Sequence, residues 1–221
     1  QTILGAAFAI IVAKQFFGGL GSNVWNPALT GRAFLFASFP AAMGASWISP
    51  LPDATSSATI LGALKKAGEG MAGQAAPVDY FSLFIGRQAG CTGESSILLI
   101  LISAAFLLIT RIIDWKTPFF MVATFSLLTW LSGADVLAHV LSGGLFFGAV
   151  FMATDYVTTP VTAPGRMIFG AGCGLVTFLI RRFGGYPEGV MFSILIMNSI
   201  VPFLNKITPR KYGCKKQGGA K

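Results

Sequence analysis

Long apolar stretches alternate with short polar ones along most of this chain. An α-helix needs about 20 mainly apolar residues to cross the hydrocarbon core of a bilayer, and fewer where it is broken or re-entrant. On this criterion the pattern predicts spanning or partly spanning helices at residues 2–17, 28–48, 95–113, 118–133, 136–153, 167–181 and 188–205.

Polar sequences rich in glycine and proline interrupt this pattern twice, at what should be membrane depth. The first break is FFGGLGSNVWNPA at residues 16–28, and the second is MATDYVTTPVTAPG at residues 152–165. Unpaired backbone N–H and C=O groups are costly in lipid, so both breaks must be enclosed by protein or line a polar cavity.

Two broken helices in one chain are typical of transporters built from two inverted repeats. We therefore predict an all-α integral membrane protein. Its expected form is a multi-span helical bundle with discontinuous helices and a two-repeat, urea-channel-like architecture.

Polarity divides the chain into four predicted parts. These are the end of the first membrane repeat at 1–48, an extracytoplasmic loop segment at 49–94, the second membrane repeat at 95–206 and a basic cytoplasmic tail at 207–221.

The basic residues predict which side of the membrane each end faces. Basic residues collect on the cytoplasmic side of a membrane, and counting spans back from the tail places Arg111 and Lys116 on that side too. Arg181 and Arg182 then fall on the opposite side, which leaves two explanations open. Either they pair with Glu188 or another subunit, or one segment is re-entrant.

The composition supports a membrane protein and excludes other classes. Of the 221 residues, 54% are hydrophobic and only 11% are charged, whereas soluble domains carry about 25% charged residues. The mean hydropathy is +0.71. These values exclude a soluble globular enzyme and a disordered chain.

The chain has a net charge of +8, and its basic residues lie between and after the apolar runs. No nucleic-acid partner is therefore predicted. The three cysteines lack CxxC spacing, which argues against a zinc or iron–sulfur centre.

Asp155 is a carboxylate that follows a long apolar run, in the sequence FMATDYVTT. A bare carboxylate is costly in lipid, so it must face a cavity or find partners. Thr154 and Thr158 supply hydroxyl oxygens nearby, and carboxylate and hydroxyl oxygens suit a small hard cation. Two interpretations stay open: an ion-translocation site, or a helix cap that holds the break in shape.

The stretch DATSSAT at residues 53–59 is small and polar. From the residues alone, it is either a helix cap before LGALKK or an exposed loop that a large enzyme can reach. The same stretch resembles D-x-x-(S/T)-(G/S)-A-T, the signature at which a flavin transferase attaches FMN through a phosphoester bond to the last threonine.

Four further blocks carry the same resemblance. They are KQFFGGLGSNVWNPALTGRAFL, GCTGESS, FMATDYVTTPVTAPGRMIFG and GGYPEGVMFSILIMNSIVPFL. Together the five blocks resemble successive motifs of the NqrB/RnfD family, the membrane subunits of ion-translocating ferredoxin:NAD and NADH:quinone oxidoreductases. The resemblance implies about three further N-terminal spans before Gln1. The family's acidic residue near the end of the last span is Asn205 here, which weakens any assignment of ion binding to that end.

The resemblance also implies cofactor sites. Thr59 would carry the covalent FMN, and the transferase would recognise the residues before it, Asp53, Ser56, Ser57 and Ala58. The first break and the residues leading into it supply four further cofactor-binding candidates: Lys14, Asn23, Trp25 and Asn26. Trp25 can stack on a flavin ring, such as a second, non-covalent riboflavin. The alternative for this segment is tight helix packing, with Pro27 at the first helical position.

The implied function is that of a flavin-carrying membrane subunit of a redox-driven ion pump. It would pass electrons between ferredoxin and NAD through FMN and couple this to Na⁺ or H⁺ translocation. Implied partners are the Rnf subunits A, B, C, E and G, membrane lipid and the flavin transferase, all at a bacterial inner membrane. The chain has no NAD fingerprint and no ferredoxin-type cysteine run, so no complete active site is expected in it. The alternative is a passive channel or transporter for a small polar solute.

Overall fold

The computed structural model describes residues 1–40, 43, 47–48, 56–57, 79–86, 93, 95–185 and 188–207. Helix α1 (Thr2–Phe8) continues as a π-helical segment (Ala9–Gln15), and α2 covers Pro27–Ser38. The strand β1 (Trp47–Ile48) pairs antiparallel with β2 (Ser56–Ser57). This two-residue ladder is the only β-structure in the described residues.

The remaining described elements are all helical. They are α3 (Tyr80–Ile85), α4 (Ile97–Ile109), α5 (Lys116–Leu131), α6 (Val136–Leu141), α7 (Leu145–Phe147), which continues as a π-helical segment (Gly148–Met152), α8 (Ala163–Phe183) and α9 (Val190–Ile207).

Short polar side chains begin several of these helices. Asn26 accepts a hydrogen bond from the N–H of Ala28 at 3.0 Å before α2, and Thr162 accepts from the N–H of Gly165 at 3.2 Å before α8. Asp135 caps α6 in the same way. These contacts satisfy N–H groups that a helix leaves open in its first turn, so they place the helix starts next to the breaks.

Two glycines bring α8 close to the backbone of α5. A methyl group added at Gly170 would lie 2.5 Å from the carbonyl oxygen of Thr117, and one at Gly174 would lie 2.4 Å from that of Met121. Residues four apart share a helix face, and small residues with this spacing let helices pack closely in membranes. The α5–α8 contact is accordingly the most extensive between the helices of the described part.

The buried core lies between α5, α8, α9 and the segment around α7. Phe125, Leu145, Phe169 and Ile194 are all at most 1% exposed. The outer faces are also apolar. On α4, a row of large apolar side chains is more than half exposed: Leu99, Ile102, Phe106 and Ile109. Contiguous apolar surface of this kind is typical of a lipid-facing helix.

One helix in the described part, α8, is long and apolar enough to cross a membrane by length and composition. Its 21 residues extend about 31 Å at the α-helical rise per residue, which matches the hydrocarbon core of a bilayer. Shorter apolar helices cover Thr2–Gln15, Ile97–Ile109 and Val190–Lys206.

The helical character confirms the all-α prediction, and both predicted breaks are confirmed as non-helical, between Gln15 and Pro27 and between Met152 and Ala163. The prediction of one continuous segment at 136–153 is wrong. This segment is interrupted between Leu141 and Leu145, where side chains from α8 and from the connection before α9 bind the freed backbone groups.

Other predicted bounds differ by smaller amounts. Helix α2 ends at Ser38, before the end of the predicted segment 28–48, and α8 extends beyond 167–181 at both ends. Most of the predicted loop segment 49–94 and the tail beyond residue 207 lie outside the described residues. The two-repeat, urea-channel-like arrangement stays a prediction.

Candidate functional site

The first break turns sharply through three glycines. Gly18, Gly19 and Gly21 have φ values of 108°, 89° and 82°, in the region that glycine adopts without steric cost. Beyond them, the Asn23 side chain is buried and donates to the carbonyl oxygen of Trp25 at 3.0 Å. This internal hydrogen bond shapes the segment that leads into α2.

The end of the first break is attached to α9. Trp25 Nε1 donates to Ser199 Oγ at 2.8 Å, and the Trp25 ring lies edge-on to Phe17 with centroids 5.6 Å apart. Asn198 is buried, and in the orientation that satisfies its amide it accepts from the Asn26 N–H at 3.3 Å. The polar residues of α9 therefore bind the backbone and indole of this break.

The second break is folded around its own threonines. Thr158 is buried and donates to Asp155 Oδ2 at 3.0 Å. Thr159 Oγ1 donates to the Asp155 carbonyl oxygen at 2.6 Å, and Thr154 Oγ1 donates to the Val150 carbonyl oxygen at 2.5 Å. The structure thus brings together Asp155 and Thr158 of the predicted ion-translocation candidates, whereas the Thr154 hydroxyl is bonded to the preceding helix.

Helix α9 also binds the second break. Asn205 Oδ1 accepts a hydrogen bond from the Val161 N–H at 3.2 Å. One helix therefore contacts both interruptions, through Asn198 and Ser199 at the first and Asn205 at the second. Asn205 therefore stabilises the second break, at the position where the family pattern has an acidic residue.

A third break separates α6 from α7, at residues 142–144. The Gly144 N–H donates to Glu188 Oε1 at 2.9 Å, and the other carboxylate oxygen of Glu188 accepts from Arg32 at 3.0 Å. A carboxylate at the start of a helical segment accepts a hydrogen bond from an N–H group that has no partner within the helix, and its negative charge interacts favourably with the helix dipole. The suggested pairing of Glu188 with Arg181 or Arg182 is wrong, because the salt bridge of Glu188 goes to Arg32.

Arg181 binds the other side of the third break. Its Nη1 donates to the His139 carbonyl oxygen at 2.6 Å and its Nη2 to that of Ser142 at 3.5 Å. The guanidinium lies 4.8 Å from the centre of the Phe125 ring. A cation at the end of a helix complements the partial negative charge of its carbonyls. Arg181 is thus buried inside the bundle. Its burial explains why this arginine lies on the side of the membrane where the positive-inside rule does not expect it.

A polar cleft of about 780 Å³ lies beside the second break, between the α4–α5 turn and the start of α8. Asp114 lines it, 2.7 Å from Arg166 and 3.2 Å from Lys116. Partial burial acts to raise the pKa of the Asp114 carboxyl, but hydrogen bonds from Arg166 and Lys116 outweigh it, and the pKa lies below its ordinary value. The cluster is therefore charged at neutral pH.

Several predicted site residues lie outside the described residues. These are Asp53, Ala58 and Thr59. The backbone of Ser56 and Ser57 forms β2, opposite Ile48 and Trp47. The side chain of Lys14 is half-buried in the π-helical segment before the first break, and the described contacts do not link it to Asn23, Trp25 or Asn26.

Two clusters were missed at the sequence level. One is the third break with Arg32, and the other is the Asp114–Arg166 pair. The Ser-Gly-Gly sequence at 142–144 is a turn signal that could have revealed the break. The ion pairs join residues 156 and 52 positions apart, so no local signal announces them.

Broken helices, close glycine contacts and an apolar exterior define this molecule as a helical protein of the membrane class. The chain matches the model of the NQR2, RnfD, RnfE family over residues 1–213. It belongs to this family, as the resemblance of its motifs predicted.

Named relatives agree with this assignment, and all three carry the same subunit designation. One is a component of the Na⁺-translocating ferredoxin:NAD⁺ oxidoreductase complex of Acetobacterium woodii. It is 45% identical over 215 residues, covering 97% of this chain and 67% of that protein. Its counterpart in the proton-translocating ferredoxin:NAD⁺ oxidoreductase complex of Clostridium ljungdahlii is 43% identical over 230 residues, covering 96% and 68%. The counterpart in the ion-translocating oxidoreductase complex of Stutzerimonas stutzeri is 38% identical over 249 residues, covering 97% and 70%.

The Arg32–Glu188 ion pair predicts that α2 and the third break are energetically coupled. A cycle of Glu188→Gln, Arg32→Gln and the double variant should give a coupling of about 1–2 kcal/mol in the free energy of unfolding, as residues in direct contact do. Unfolding by SDS in mixed micelles measures it. The control cycle uses Arg182→Gln, which should add to Glu188→Gln within about 0.5 kcal/mol. Equal coupling in both cycles would contradict the observed pairing.

Proposed function

We propose that this chain is the flavin-carrying membrane subunit of a redox-driven ion pump. It passes electrons between ferredoxin and NAD through FMN bound at Thr59, and it couples this transfer to Na⁺ or H⁺ translocation. The observation that carries the proposal is the match to the family over residues 1–213, together with relatives that are each named as the same component of an ion-translocating oxidoreductase complex.

Covalent attachment of FMN is supported by the chemistry of the DATSSAT stretch. Thr59 offers a hydroxyl for a phosphoester, and a bond of this kind holds a flavin without a deep nucleotide pocket. The pairing of Ser56–Ser57 with Trp47–Ile48 brings the chain just before Thr59 back beside the segment that follows α2. FMN, when bound, supplies one- and two-electron redox chemistry, while the protein supplies its position and electrostatic environment.

Asp155 is the residue proposed to act on the translocated ion. Its carboxylate lies in a non-helical segment and has the buried Thr158 hydroxyl at 3.0 Å. The described residues hold no group of three or more His, Cys, Asp or Glu side chains that would bind a resident metal ion. A single carboxylate with neutral oxygens suits weak, reversible binding of a small cation better than permanent retention. The two relatives with the higher identities are named for different ions, so their names leave the choice between Na⁺ and H⁺ open.

Partner subunits complete the proposed reaction. The chain contains neither a dinucleotide fingerprint nor a ferredoxin-type cysteine run, so the sites for NAD and ferredoxin belong to other subunits. We assign these roles to the remaining Rnf subunits, A, B, C, E and G, in a bacterial cytoplasmic membrane. The loop with Thr59 is assigned to the outer face, and the basic tail to the cytoplasm.

Substitution Thr59→Ala should abolish covalent flavin on this chain, because alanine offers no hydroxyl for the phosphoester. The protein is produced in cells that contain the flavin transferase, separated on a denaturing gel and viewed under ultraviolet light. Fluorescence should follow the wild-type band and disappear from the variant.

The matched control for this experiment is Thr55→Ala, which removes a threonine hydroxyl from the same stretch. Its band should keep the wild-type fluorescence. A dark wild-type band, or fluorescence that survives Thr59→Ala, would contradict the attachment at Thr59 and favour a solute channel or another linkage.

Substitution Asp155→Asn should impair ion transport while leaving the second break folded. The asparagine side-chain oxygen can still accept the Thr158 hydroxyl, so only the charge is lost. We expect ion uptake by inverted membrane vesicles to need an about tenfold higher ion concentration, which corresponds to roughly 1.4 kcal/mol in affinity, with unchanged covalent flavin content. The control is Asp135→Asn, which removes the charge of the aspartate that caps α6. This variant should transport normally. Normal transport by Asp155→Asn would leave Asp155 with a purely structural role.

A further inference from the structure

The α4–α5 turn contains a residue whose backbone conformation is unfavourable for its type. Arg111 has a φ of 56° and is the only non-glycine residue with positive φ in the described part of the chain. It follows the end of α4, where the N–H groups of Arg111 and Ile112 donate to the carbonyl oxygens of Leu108 and Leu107 at 3.1 and 3.0 Å. These two bonds form a Schellman motif, whose left-handed position is usually glycine.

An arginine at this position costs about 1–2 kcal/mol relative to a right-handed conformation. Part of that cost is offset by the favourable interaction of a cation with the end of a helix. Strained residues cluster at functional sites, so this outlier directs attention to the surroundings of Arg111.

The Arg111 side chain lines the polar cleft of about 780 Å³. Lys116 and Arg166 line the same cleft, and both are paired with the single carboxylate of Asp114. Three basic groups therefore share one acidic group. The cleft therefore has an excess of positive charge. Arg111 is exposed, so its guanidinium can contact a ligand that enters the cleft.

The polar cleft adjoins an apolar groove of about 390 Å³ between α4 and α5. Leu108, Ile113 and Trp115 line both spaces, so they lie at the boundary between them. Beyond this boundary, the walls of the groove are formed by residues such as Leu101 and Val122. A charged recess that continues into an apolar groove matches a molecule with an anionic head and a hydrocarbon tail.

Aromatic side chains place this boundary at the surface of a membrane. Trp115 is about half exposed, and the Tyr156 hydroxyl donates to the Ile112 carbonyl oxygen at the rim of the cleft. Trp and Tyr collect at the level of lipid headgroups. Basic recesses between helices on the cytoplasmic side of a membrane bind anionic lipid headgroups.

We propose that the polar cleft and the apolar groove together form a binding site for one anionic phospholipid. The phosphodiester of its headgroup lies between Arg111, Lys116 and Arg166, and one acyl chain occupies the groove between α4 and α5. This site is independent of the proposed flavin on Thr59, and its ligand is a structural lipid and not a substrate.

The test uses the full-length protein in its purified complex, incubated with equimolar phosphatidylglycerol and phosphatidylcholine and examined by native mass spectrometry. The wild type should retain phosphatidylglycerol in preference to phosphatidylcholine. Arg111→Gly should weaken phosphatidylglycerol binding about fivefold, the effect of one basic residue near an anionic lipid. Its binding of phosphatidylcholine and its melting temperature in phosphatidylcholine should not fall, because glycine is favoured at this position of the turn.

Two further variants complete the design. Arg182→Gln removes an exposed arginine from the other end of α8 and should leave lipid preference unchanged. Ala123→Trp adds bulk at an exposed position of the groove and should reduce retention of both lipids. Equal retention of the two lipids by the wild type would overturn the proposal. So would displacement of phosphatidylglycerol by millimolar inorganic phosphate, because a site for free phosphate would not use the groove.

Discussion

Every interruption of a helix in a membrane protein leaves backbone groups that must find partners, and this constraint organises the described part of the structure. Helix α9 supplies backbone partners for two of the three breaks, through Asn198 at the first and Asn205 at the second. Arg181 and Glu188 supply them for the third, on its carbonyl and N–H sides. Buried polar residues such as Asn23, Ser142 and Thr158 thus lie where the main chain departs from the helix, while Thr129 and Thr177 donate to carbonyl oxygens within their own helices.

Local chemistry explains which parts of this arrangement could be predicted from the sequence. Glycine, asparagine and proline cluster at the first two breaks, and Asn26 before Pro27 is a strong helix start, so these positions were identified correctly. The third break was missed because Ser142 and its glycines sit inside an apolar run, where small residues also serve helix packing. The ion pair of Glu188 could not be predicted, since Arg32 is distant in sequence and only the fold brings the two together.

The proposed function assigns different tasks to different parts of this scaffold. Redox chemistry is assigned to a flavin on Thr59, and ion binding to Asp155 in a loop that α9 holds in place. Coupling requires two states that differ in their affinity for the ion. A short segment held by a few hydrogen bonds can change its arrangement at lower cost than a packed helix, which makes the second break the natural element to respond to the redox state.

The central claim is that a threonine of this hydrophobic chain carries a flavin. Peptide mass spectrometry of protein matured in cells with the flavin transferase tests it most directly, on the fragment that covers residues 49–65. The account predicts that this fragment has gained the mass of one FMN joined with loss of water, and that fragmentation locates the addition on Thr59. Recovery of the fragment at its unmodified mass alone would contradict the claim.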